Sequence, residues 1–246
     1  MDKKDDIYNK IREALSQIPE KFCVLEDQIN IELQMQYFRY SKRLKNNVDT
    51  DKIMNNKELL FTEEISPKEK KILLAKLAGI DSVEAFRTIE RYCNQADSEL
   101  KEWAILALQE SRMILQNSLL GEDQVFISTG LGGRGNKLRY FIVLPKKELT
   151  EFTPVQEKVI RNEIDFTFPK HETELENLKF FKGFATFTAL VPIQCDFQVI
   201  FNNLLQDCNE FGNFIDEDII ITNVRYLSEE EIRVFLEQKS SNEEKN

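Results

Sequence analysis

The sequence predicts an α+β protein, a helical N-terminal region followed by a ferredoxin-like (split β-α-β) or related α/β sandwich with an additional strand. Apolar residues recur at helical spacing behind capping Ser and Asp as far as Gly121, and apolar runs of strand character begin only after it. From Leu138 onward the order reads strand, helix, strand, strand, helix, strand. At 246 residues the chain exceeds the commonest domain size of about 100–150 residues, so two units fit better than one. Residues 1–120 form the helical region in this reading, 121–238 the sandwich, and 239–246 a polar, disordered tail.

Ile7, Ile11, Leu15 and Ile18 follow Asp5 and Asp6 at helical spacing, and Pro19 ends that segment. Between residues 22 and 44, Ile29, Ile31, Leu33, Met35 and Tyr37 alternate as in a strand, whereas Leu25, Ile29, Leu33, Tyr40 and Leu44 fit a helix. The lack of Gly and Pro selects the helix. Lys45 to Asn56 is Asn-rich and reads as a loop. Ser66-Pro67-Lys68-Glu69 puts serine at the N-cap, proline at the first helical position and glutamate three residues after the cap, opening a helix that runs to Gly79. Asp81-Ser82-Val83-Glu84 repeats the device, with Phe86, Ile89 and Cys93 as the buried stripe. Asp97 opens a third helix whose Leu100, Trp103, Ala104, Ala107, Leu108 and Leu115 share one face.

Over residues 82–116 the chain resembles a HEAT or armadillo-type helical hairpin, with Ala85-Phe86 and Ile89 in its first helix and Asp97-Ser98-Glu99-Leu100-Lys101-Glu102-Trp103-Ala104 opening its second. The resemblance implies a surface for protein partners and assigns no contact residue.

After Gly121, Val125 to Thr129 and Leu138 to Pro145 read as strands flanking a glycine-rich turn. Thr153-Pro154-Val155-Gln156 is a capping box ahead of a helix carrying Val155, Val159, Ile160 and Ile164. Leu178 to Phe181 and Ala185 to Val191 form a hairpin about Gly183, and Phe197, Ile200, Phe201, Leu204, Leu205 and Cys208 mark a helix that Gly212 ends. Ile219 to Tyr226 is the last strand. Ser228 caps a last helix through Ile232, Phe235 and Leu236. A split β-α-β sheet places its first and third strands inside, matching the two most apolar runs, Tyr140 to Leu144 and Ala185 to Val191. The strand at Val125 would then compete for a place beside Leu138 to Leu144.

Four of the eight glycines, Gly130, Gly132, Gly133 and Gly135, fall within six residues. Their spacing matches G-x-G-x-x-G, yet an extended run follows at Leu138 where a dinucleotide fold needs a helix to face pyrophosphate. A Walker A loop fails too: Asn136 stands where lysine belongs and Leu138 where a metal-binding Ser or Thr belongs. The segment does concentrate Arg134, Lys137, Arg139, Lys146 and Lys147 without an acidic residue. Arg134, Lys137 and Arg139, with the flexible backbone of Gly132, Gly133 and Gly135, form a candidate site for an anion or acidic partner.

Other chemistry is sparse. Cys23, Cys93, Cys195 and Cys208 lack metal-site spacing, and His171 is a lone connector histidine, so no catalytic residue, metal or cofactor is expected. The rings of Phe180, Phe181, Phe184 and Phe187 lack the signature of RNA-binding modules and read as core. The net charge of −10 and pI near 4.9 disfavour nucleic acid and anionic membranes. No apolar run reaches the ~20 residues of a membrane span, and no secretory signal is evident, so a cytoplasmic protein is expected. The functional expectation is a non-enzymatic adaptor or scaffold acting through an unknown protein partner. The alternative is a sensor of a phosphorylated or carboxylated small ligand at the glycine-rich hairpin.

Overall fold

Ser66, Ser82 and Asp97 start three consecutive helices as their side chains predict, Ser66 in a complete capping box with Glu69 and Asp97 by accepting from the Leu100 N–H. A computed structural model describes residues 22–44, 49–121 and 125–243, and the side chains of its final helix only as far as Lys239. The expected helix at Ile7 to Ile18 lies outside the described residues. Among the described residues there are eight α-helices: α1 (Ile31–Leu44), α2 (Thr50–Asn55), α3 (Pro67–Ala78), α4 (Val83–Gln95), α5 (Ser98–Leu120), α6 (Pro154–Lys170), α7 (Phe197–Glu210) and α8 (Glu229–Glu243). The strands are β1 (Phe22–Val24), β2 (Val125–Ile127), β3 (Gly133–Arg134), β4 (Lys137–Pro145), β5 (Glu174–Phe181), β6 (Phe184–Pro192) and β7 (Ile220–Thr222).

The chain forms two compact units that divide between Ser128 and Thr129. In the first, α4 and α5 pack on each other and α3 packs on both, around Leu74, Leu77, Ile89, Leu100 and Leu106. Glu110 on α5 is buried and accepts hydrogen bonds from Tyr37 Oη at 2.6 Å and Ser41 Oγ at 2.7 Å, which tie α1 to α5. Burial, the Glu110 charge and its hydrogen bond hold the Tyr37 hydroxyl well above the usual phenol range.

Three sequence expectations need correction in this unit. Residues 22–44 are not one helix, because Phe22, Cys23 and Val24 form β1 and pair in parallel with Val125, Phe126 and Ile127 of β2. That partner lies about a hundred residues away in sequence, beyond any local pattern. For the same reason β2 is not the hairpin partner of β4, and the competition for a place beside β4 disappears. Thr50–Asn55, inside the expected loop, is helical because the Asp49 carboxylate accepts from the Lys52 N–H as an N-cap.

The second unit is the α+β sandwich. Its sheet runs β5-β6-β4, with β7 along the outer edge of β4 and every pairing antiparallel, the strand order of a ferredoxin-like sandwich. β3 and β7 share that edge without conflict: β3 pairs with Lys137 and Leu138, β7 with Phe141, Ile142 and Val143. Alternation along β4 and β6 sends Ile142, Leu144, Phe187, Ala189 and Val191 to one face, where α6 and α7 cover them with Ile160, Ile164, Ile200, Phe201 and Leu204. Val155 is exposed rather than buried, because it falls in the first turn of α6, off its inward stripe. The last strand ends at Thr222, short of the expected Tyr226.

On the opposite face, Leu131, Phe141, Val143 and Phe184 meet Ile232 and Leu236 of α8. This helix is held at its start by the Ser228 cap and the paired bonds of Arg225 to Glu231 at 2.7 and 2.9 Å. Near its other end Lys239 Nζ lies 2.7 Å from Asp216 and 3.1 Å from Asp218.

Candidate functional site

The glycine segment is first a packing device. Leu131 is fully buried, its N–H donates to the Asn223 carbonyl at 3.0 Å, and Gly132 turns the chain beside it with φ 68°. Gly135 has φ 60° and forms, with Asn136, the two-residue link between Arg134 and Lys137. Positive φ at the first loop position alone is the signature of a type II′ hairpin turn, which requires glycine there. Gly133 is a buried β3 residue. These glycines therefore set the hairpin and its approach to the core.

The hairpin does bring the three predicted bases together on the face of the sheet opposite α6 and α7. Alternation puts Lys137 and Arg139 on the same face, and Arg134 reaches them from β3. Their charge is met by two carboxylates on β5. Glu174 accepts from Lys137 Nζ at 2.6 Å and from the Arg134 guanidinium, and Glu176 accepts from Arg139 Nε at 2.6 Å and Nη2 at 2.8 Å. The Lys137 hydrogen bond above all, helped by the Lys137 and Arg134 charges and the Arg134 hydrogen bond, outweighs the opposing effect of burial and holds the Glu174 carboxyl below the usual range. Arg139 Nη1 also donates to the Leu131 carbonyl at 2.8 Å, linking the ion pairs to the glycine turn.

Lys146 and Lys147 do not join this group. Lys146 is buried, and its ammonium donates to Thr150 Oγ1 at 2.8 Å and to the Glu151 carbonyl at 2.7 Å, while Lys147 bonds Asn213 Oδ1. His171 is the C-cap of α6, where its carbonyl accepts from Cys195 Sγ at 3.5 Å. Burial pushes the Cys195 thiol up, away from nucleophilic use at neutral pH.

Continuing along the same face, a groove of about 390 Å³ opens beside the ion pairs. Its floor includes Phe141, Thr186 and Thr188, one wall carries Tyr226, and the other carries Asn177 and Lys179. Register aligns the floor, since Phe141 faces Thr188, which in turn faces Asn177. The hydroxyls of Thr186 and Thr188 make no hydrogen bond among the described residues, and Lys179 makes no ion pair among them. Tyr226 is 39% exposed, and its ring stands edge-on to Phe141 at 5.4 Å between centroids. Arg134, Lys137, Arg139 and Lys179 on this face outnumber Glu174 and Glu176, and Glu229 of α8, which also lines the groove, is paired with Arg233, so the face carries an excess of bases on a chain of net charge −10.

Of the groove, Phe141 was within reach of sequence alternation, being two residues from Arg139. Thr186, Asn177 and Tyr226 were not, because only strand pairing and the turn after β7 bring them there. The four phenylalanines noted in the sequence separate: Phe180 and Phe187 pack toward α6 and α7, and Phe181 stacks on buried Phe184 at 5.0 Å. A wider groove of about 530 Å³ lies among Lys52, Ile53, Leu59, Ile72 and Lys76 in the helical unit, walled by aliphatic and mixed-charge side chains. Among the described residues no cluster of His, Cys, Asp and Glu is placed to hold a metal, and no helix is long and apolar enough to cross a membrane.

No family model and no curated protein matches the chain. Among solved structures, similarity is found to a REP-associated tyrosine transposase bound to a REP hairpin, at TM-score 0.32 and 11% identity over 36% of this chain. The chain spans 57% of that protein's length. A chain assigned as a transposase from Deinococcus radiodurans R1 matches at TM-score 0.35 and 13% identity, over 45% of this chain and 93% of its own. A C-terminal segment of the alpha subunit of aIF2 from Pyrococcus abyssi matches at TM-score 0.24 and 12% identity, over 79% and 98%. Likenesses of this size transfer no activity.

Two sequence expectations are nevertheless corrected: a non-enzymatic adaptor or anion sensor, and a partner list without nucleic acid. Physically, the exclusion rested on total charge, and the total does not describe the cationic sheet face.

Proposed function

We propose that the α+β unit binds single-stranded nucleic acid in the groove beside α8 on the sheet face that carries the bases. One observation carries the reading: a groove with an exposed tyrosine and two threonine hydroxyls that make no hydrogen bond among the described residues lies on the same face as the row of Arg134, Lys137 and Arg139. Single strands are bound by backbone-tracking positive charge combined with aromatic rings on which bases stack. In this reading Tyr226 supplies the ring, Thr186, Thr188 and Asn177 supply hydrogen-bonding groups for base edges, and Lys179 with the three bases contacts phosphates. Gly132, Gly133 and Gly135 hold the hairpin that presents Arg134 and Lys137. Four free cysteines fit a reducing, cytoplasmic setting for this activity.

The test is fluorescence anisotropy with labelled oligo-dT and oligo-U strands at low salt. Binding is expected, and Tyr226→Ala lowers affinity by roughly tenfold, since one base–aromatic stack is worth about 1–3 kcal/mol. Failure of the wild-type protein and of charge-relieved variants to bind either strand overturns the reading. The two strands separate DNA from RNA preference, and a duplex of the same length serves as the control for non-specific phosphate binding.

A further inference from the structure

We infer that Glu174 and Glu176 occupy, in the free protein, the positions that phosphates of a bound strand take on Arg134, Lys137 and Arg139, so that the site is restrained by its own carboxylates. The inference rests on the reading of the sheet face as a nucleic-acid site. The Arg139 guanidinium presents its Nε and Nη2 to both oxygens of Glu176 at 2.6 and 2.8 Å, the fork geometry by which arginine also grips phosphate. Glu174 is shared between Lys137 and Arg134, the geometry of one anion bridged by two cations.

The backbone of β5 carries both carboxylates and Asn177 on the groove side. Leu175 pairs with Ala189 and Asn177 with Thr188, so Glu176 is the extra residue of a β-bulge. A regular strand would send Asn177 to the face opposite Glu174, whereas the bulge brings Glu174 and Asn177 to one face with Glu176 at hand for Arg139. Alternation alone puts Glu174 and Glu176 on one face, and the bulge adds Asn177 to it, so the acceptors for the bases lie directly beside the groove, which Glu176 and Asn177 both line. Exchange of carboxylate for phosphate needs only side-chain rotation. Arg134 and Glu174 are about half exposed, so water reaches the pair.

Binding of oligo-dT and oligo-U is compared between wild type and Glu174→Gln/Glu176→Gln, which keeps side-chain size and removes both charges. The double variant is expected to bind about tenfold more tightly, since it removes two carboxylates that repel a phosphate placed beside them. Equal or weaker binding by the variant, with the wild type binding, overturns the restraint and leaves the site reading intact. Absence of binding by both proteins overturns the two together. Circular dichroism checks the fold of the double variant, and Glu176→Gln alone, which leaves the Lys137–Glu174 pair in place, gives the same comparison if the double variant is unstable.

Discussion

Leu131 sits between Gly130 and Gly132 with its side chain wholly buried against the second face of the sheet. Leu131→Ala removes that packing and leaves a cavity, so equilibrium denaturation is expected to show a loss of about 2–5 kcal/mol. A retained stability would mean that the glycine segment serves the groove alone. The same residue-scale view separates five basic residues that look alike in sequence. Arg134, Lys137 and Arg139 share one face because β3 and β4 alternate, while Lys146, at the end of β4, is enclosed by the Thr150 hydroxyl and the Glu151 carbonyl. The shared face of Lys137 and Arg139 was legible, since a strand has period two. Their partners Glu174 and Glu176 were not, because the contact runs across β6 between residues 37 apart.

At the scale of elements, the capping boxes of α3 and α6 form as their Ser-x-x-Glu and Thr-x-x-Gln patterns indicate, and so does the Ser228 cap of α8. These signals are local, which is why they could be read. The cap of α8 has a pH consequence. Hydrogen bonds from Arg225, then from the Ser228 backbone, hold the Glu231 carboxyl down from 4.5 to about 2. A carboxylate lowered in the folded state stabilises it at every pH above its ordinary value, and the contribution fades as pH falls toward about 2. The thermal midpoint of Glu231→Gln is therefore expected to lie below wild type at neutral pH, with the gap closing between pH 4.5 and about 2. A gap unchanged across that range would place the effect of Glu231 elsewhere than its charge. Partial burial pushes the Asp216 carboxyl up, but the Lys239 ammonium and the Asp218 N–H outweigh it and leave it below the usual range, so the contact near the far end of α8 weakens in acid in the same sense.

On the scale of the whole molecule, a net charge of −10 spread over 246 residues coexists with a sheet face whose bases outnumber its carboxylates. Long-range repulsion is screened beyond a Debye length of about 8 Å at physiological salt, so local charge governs contact with a strand. Few phosphates can be neutralised by so few bases, and the slope of log affinity against log salt is expected to be no steeper than roughly −3 for a single strand. A much steeper slope, measured by titrating the oligonucleotide complex with salt, would require cations outside the sheet face. The overall charge sets solubility and the strength of this opposition, and the face sets what is bound.

The sequence by itself determined the α+β class, the capped helices, the interior placement of β4 and β6, and the shared face of Lys137 and Arg139, because each follows from the periodicity or capping chemistry of neighbouring residues. Tertiary structure alone decided that Phe22 to Val24 pairs with Val125 to Ile127, that β3 and β7 share one edge of β4, and that Glu174 and Glu176 meet the bases beside a groove closed by Tyr226. Each is a contact between segments far apart in the chain, and the free energy that selects it comes from burial and pairing across that distance, which local residue preferences do not encode.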